Sequence, residues 1–157
     1  MLFRSKISKV MAIVLLAAGC IYFLTPKRPK EAALIQNFNE HRAVFEQLRD
    51  MLEADTNLSR VASWGVETRN PSFLGYPAET NFPTKRFLQY LALLDQANGH
   101  IGIRSSGNHA VVGVGLWGSG FAGSTRHIWI YWMNETPTNR ADISFQHIDH
   151  NWYLLKD

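Results

Sequence analysis

The chain has 157 residues, 46% hydrophobic and 18% charged, with one cysteine, which points to a single folded domain with one appendage and excludes a disordered chain or a disulfide scaffold. Its net charge of +3 is unevenly placed: six of the sixteen lysines and arginines fall within residues 1–30, leaving ten against thirteen acids over residues 31–157, a net of −3. The folded part therefore lacks the basic footprint that nucleic acid requires, and no nucleic-acid partner is expected.

Residues 1–9 form a basic tail with Arg4, Lys6 and Lys9, and residues 10–25, VMAIVLLAAGCIYFLT, carry no charge. As a helix this run is about 24 Å long, short of a hydrocarbon core of about 30 Å. Snorkelling by Lys9 and Lys27, with local thinning of the bilayer, absorbs the difference. The stretch LLAAGC resembles a lipobox, which implies Cys20 as a lipidation site. However, Ala17 stands where that motif has Leu, and the apolar run continues through Ile21-Tyr22-Phe23-Leu24. A retained spanning anchor explains that continuation; a cleaved signal does not. The positive charges on the two sides tie, and a short tail stays inside easily. Residues 31–157 are accordingly expected on the extracytoplasmic side of the inner (cytoplasmic) membrane of a bacterial envelope, facing the periplasm. Cys20 lies in the leader, so the exported part has no disulfide.

Residues 26–30 read as a stiff proline-marked linker. Residues 31–54 then read as one amphipathic helix, with Leu34, Phe38, Phe45, Leu48 and Leu52 at helical spacing and Arg42–Glu46 and Arg49–Glu53 as i,i+4 pairs. Asp55-Thr56-Asn57 ends it, residues 60–67 read as a strand, and residues 69–82 read as a structured loop rich in Pro, Gly and aromatics. A second helix starts near Pro83 and stops at Asn98-Gly99. Strands are expected over 100–105, 109–117, 126–133, 142–148 and 152–156, with turns between them. The expected class is α+β: a mostly antiparallel sheet of about five to six strands, covered by two helices, behind an N-terminal membrane anchor.

Alternation assigns the strand faces. Val112, Val114 and Leu116 share one face of their strand and Val111, Gly113, Gly115 and Trp117 the other. In the next strand Ile128, Ile130 and Trp132 oppose His127, Trp129, Tyr131 and Met133. The aliphatic faces belong against the helices. On the remaining face the plainer expectation is packing, with rings lying over glycine-bare backbone. Were that face open, His127, Trp129 and Tyr131 would make a binding surface, joined by Phe73 and Tyr76 from the loop SFLGYP.

Candidate chemistry is sparse. His147-Ile148-Asp149-His150 has metal-ligating side chains, but alternation puts residues three apart on opposite faces, so no metal site is expected. The loop GSGFAGS matches neither a nucleophile elbow nor a phosphate loop. No catalytic residue and no cofactor is assigned, and a non-enzymatic role is favoured. The leading reading is a membrane-anchored extracytoplasmic binding module that engages another protein, an immunity or inhibitor-type protein being one version. The alternatives are a small-ligand carrier or enzyme with a pocket between sheet and helices, and a structural component of an envelope assembly.

Overall fold

The computed structural model describes residues 27–105, 111–121, 124–139 and 143–156; the anchor segment and Cys20 lie outside the described residues. Among the described residues no helix is long and apolar enough to cross a membrane. In chain order the elements are α1 (Glu31–Glu40), α2 (Arg42–Ala54), β1 (Leu58–Ala62), β2 (Gly65–Arg69), β3 (Ser72–Gly75), α3 (Pro77–Thr80), α4 (Thr84–Gln96), β4 (Ile101–Ser105), β5 (Val111–Phe121), β6 (Ser124–Met133), β7 (Ser144–Asp149) and β8 (Trp152–Lys156).

The strands form one antiparallel sheet in the order β3-β2-β1-β4-β5-β6-β8-β7. The α+β class therefore stands, but the sheet has eight strands where about five to six were expected. Two places account for the difference. The segment 60–67 is not one strand: it turns at Ser63-Trp64 and pairs with itself, Ala62 opposite Gly65. The supposed loop 69–82 contributes β3 and the single-turn α3.

Burial of one helix stripe per element holds the layers together. Leu34 and Phe38 of α1, Phe45, Leu48, Met51 and Leu52 of α2, and Phe87, Tyr90, Leu93 and Leu94 of α4 are buried. They meet Val61, Val66, Val112, Val114, Ile130, Trp152 and Leu154 from one face of the sheet. Gly102 of β4 belongs to this face, where Leu52 of α2 fills the space above it. Three helices of more than two turns thus cover the sheet, because residues 31–54 are not continuous. His41, at φ −114° and ψ 22°, separates α1 from α2. The break lets Phe38 and Phe45 converge on Trp152, with ring centroids 5.2 Å apart for the two phenylalanines and 5.3 and 6.1 Å from each to the indole.

The C-terminal end of α2 is tied to α4 by a polar cluster. Arg86 Nε donates to Asp55 Oδ2 at 2.8 Å and the Tyr90 hydroxyl donates to the same oxygen at 2.7 Å. Burial, reinforced by the bond to Asp55, pushes the Tyr90 phenol far above its ordinary value. The hydroxyl is therefore protonated and donating at neutral pH.

One register feature corrects the expected strand faces. In β5, Gly115 opposes Trp129 but Trp117 opposes Ile128, so Leu116 is an extra, bulged residue. The bulge turns Trp117 from the glycine face to the helix side, where it packs against the core beside Leu116.

Candidate interaction surface

The face away from the helices carries two registered rows. One runs Leu74, Glu67, Arg60, Ile103, Gly113, Tyr131, Tyr153 and His147 across all eight strands; the second runs Ala62, Ile101, Gly115, Trp129, Leu155 and Phe145. Trp129 and Tyr131 stack with ring centroids 5.8 Å apart and planes 25° apart. They stand over the glycines of the neighbouring strand. A Cβ at Gly113 would come within 2.4 Å of Tyr131 Cε1, and one at Gly115 within 2.5 Å of Ile101 Cγ2 and 3.1 Å of Trp129 Cζ3. The rings fill the space that the absent side chains leave, which is the packing arrangement the alternation favoured. Both rings remain only partly buried. His127 is paired through its backbone with Gly118, and its side chain lies outside the described ones.

The more exposed apolar surface is at the opposite edge. Trp64, Phe73, Leu74 and Tyr76 are 45%, 46%, 54% and 59% exposed. Leu74 points to the open face, Phe73 to the other, and Tyr76 leads into α3. Trp64 sits in the β1–β2 turn beside Gly65, which lies against the backbone of Gly75 and Tyr76. Tyr76 is fixed by a local bond, its backbone N–H donating to Glu79 Oε2 at 2.9 Å, with Pro77 opening the helical turn. Natural edge strands are usually blunted by lysine, proline or a bulge. β3, with the sequence SFLG, has none of these.

The residues singled out from sequence therefore fall in two places. β3 and β6 are five strand positions apart, about 24 Å along the sheet at a spacing of about 4.8 Å. The structure does not bring Phe73 and Tyr76 together with Trp129 and Tyr131. Leu74 and Trp64, which sequence reasoning left out, complete the edge patch. Neither carried a local signal, because Trp64 stood within a segment that read as one strand and Leu74 within one that read as a loop.

The chain matches no family model, no curated protein and no solved structure. Geometry alone carries the functional argument.

The histidine-bearing hairpin between β7 and β8 is occupied by its own contacts. His147 Nε2 donates to the His150 carbonyl at 2.8 Å, His150 Nδ1 lies 2.6 Å from Asp149 Oδ1, and Arg42 of α2 pairs with the same carboxylate. No group of three metal-ligating side chains occurs among the described residues. The bond from His150 and then the Arg42 charge hold the Asp149 carboxyl below its ordinary value of 3.8. A carboxyl lowered by folding stabilises the native state above its unfolded value. That contribution disappears as pH falls through the lower, folded value. Asp149→Asn should therefore lower stability modestly at neutral pH, leave it nearly unchanged at the acid end where the carboxyl is protonated in both states, and so flatten the profile below about pH 4. Urea midpoints across the acid range measure it; an unchanged acid slope would remove Asp149 from the account.

Proposed function

We propose that the protein is a membrane-anchored extracytoplasmic binding module that engages another protein along the edge of β3. The observation that carries this reading is the collection of Trp64, Phe73, Leu74 and Tyr76 on an unprotected edge strand, each at least 45% exposed. An edge strand offers free backbone donors and acceptors to an extended segment, and alternate side chains give the contact its specificity. Large aromatic anchors of this kind dominate binding energy in protein interfaces. An immunity or inhibitor-type protein needs only such a complementary surface and no catalytic set. The anchor, residues 10–25 with Lys9 and Lys27 at its ends, supports placement at the membrane.

A photo-crosslinking residue placed at Leu74 or Tyr76 in the full-length chain, in intact cells, tests the reading. Leu88, 58% exposed on α4, is the control position. The expected result is one adduct of fixed mass from positions 74 and 76 and none from 88, with Leu74→Asp weakening capture roughly tenfold or more. Absence of an adduct at both edge positions, or equal labelling from position 88, would overturn it. In the same cells the chain should be recovered from membranes at full-length mass and be unaffected by Cys20→Ser. A lipid-bearing fragment beginning at Cys20 would replace the spanning helix with a lipoprotein anchor.

A further inference from the structure

A shallow cleft of about 490 Å³, wide open to solvent, lies at the end of the sheet where β1 begins and β2 and β4 end. That volume is in the range of small-molecule sites, about 300–1,000 Å³. A register shift between Leu58 and Arg60 spreads the ladder here. Across the gap Arg69, the last residue of β2, reaches the end of β4 and donates through Nη2 to the carbonyl of Arg104. Arg104 in turn donates through Nη1 to the Thr56 carbonyl at 3.2 Å. Its Nε is buried with no acceptor.

Arg69 and Arg104 both line this cleft, Arg69 from the open face of its strand and Arg104 from the helix face of its own, and among the described residues neither is paired with a carboxylate. Glu67 also borders it, but Arg60 holds that carboxylate at 3.3 Å. Burial, and after it the charge of Arg104, lower the Arg69 guanidinium from its ordinary value. This is a local excess of positive charge in a domain whose residues 31–157 sum to −3. The Ser72 and Ser105 hydroxyls add donors at the rim. Guanidinium forks match the geometry of carboxylate and phosphate oxygens, and such charge-assisted bonds are stronger than neutral ones.

We propose that this cleft binds a small molecule through an oxyanionic group, a phosphate or carboxylate, held between the guanidiniums of Arg69 and Arg104. The site is separate from the apolar residues of the β3 edge and does not depend on the protein-binding reading. The room around the two arginines admits a ligand larger than a bare ion, with the anionic group as its fixed point.

The full-length chain in detergent, titrated calorimetrically at constant ionic strength with inorganic phosphate, citrate and chloride, tests the proposal. Saturable one-site binding of phosphate or citrate, with no response to chloride, is the expected result. Phosphate alone identifies a phosphate ligand, and citrate alone a carboxylate. Arg69→Gln and Arg104→Gln should each weaken binding about tenfold or more, and Lys85→Gln, which removes an exposed cation of α4 away from the cleft, should leave it unchanged. Arg69→Lys keeps the charge, loses the fork and should still weaken binding with the circular dichroism of the unaltered chain. No saturable binding of either anion to the unaltered chain, or equal weakening by Lys85→Gln, overturns the site.

Discussion

Trp152→Ala should cost about 3–5 kcal/mol and leave the domain at the edge of unfolding under ordinary conditions. Trp152 is 1% exposed and meets Phe38 and Phe45, both fully buried, in one aromatic cluster. Its removal strips contacts from α1, α2 and the β6–β8 side of the sheet together, because the cavity opens where these three meet. Total stability for a domain of this size is only about 5–15 kcal/mol, so one such cavity takes a large share. Urea unfolding followed by tryptophan fluorescence and circular dichroism measures the loss. Trp152→Phe, which keeps an aromatic ring, should recover more than half of it. A loss below about 1 kcal/mol for the alanine variant would show that this cluster is not the centre of the core.

Gly65→Ala should be the most damaging change of a single methyl group. Gly65 has φ +146°, a conformation that L side chains rarely adopt, and a Cβ there would come within 2.6 Å of the Gly75 carbonyl oxygen. Backbone strain of about 1–3 kcal/mol adds to an overpacking cost of about 1–3 kcal/mol. The obstructing atom is backbone, so no rotamer change relieves it. The strand that must yield is β3, and the damage should reach the Phe73–Leu74–Tyr76 patch before the rest of the sheet. Hydrogen exchange on Gly65→Ala should show faster exchange confined to β2, β3 and the β1–β2 turn. Uniform acceleration through β5, β6 and β8 would contradict that locality.

Elements with one dominant periodicity were legible in the sequence. α4, β4, β6 and β8 lie close to where alternation or helical spacing placed them, because each buries one face and its ends carry turn residues. Misreadings occurred where tertiary packing overrode local signals. No proline or glycine marks the break at His41; it exists because Phe38 and Phe45 both pack on Trp152. The turn at Ser63-Trp64 lacks an Asn-Gly or Asp-Gly signature, and Gly65 looked like an ordinary strand glycine. The bulge at Leu116 inserts one residue into a regular alternation and inverts the face of everything after it, Trp117 first. The candidate surface was half legible for the same reason. Phe73 and Tyr76 stood out as aromatics in a loop, whereas grouping them with Trp129 and Tyr131 required a strand order that no local pattern contains. Arg69 and Arg104 stand 35 residues apart in sequence, and the strand order β2-β1-β4 is what brings them together.

The ion pair between Glu31 and Lys156, 2.9 Å long, fixes where a tether would act. Glu31 is the first residue of α1, directly after the linker, and Lys156 ends β8, the strand between β6 and β7. The start of α1 is therefore held against the side of the sheet that carries β8. Six strand spacings, about 29 Å, separate β8 from β3. Under the proposed anchoring the sheet acts as a strut, moored at the β8 margin with the apolar edge at the other. A partner arriving through the aqueous space would then meet Phe73, Leu74 and Tyr76 at the free end of that strut.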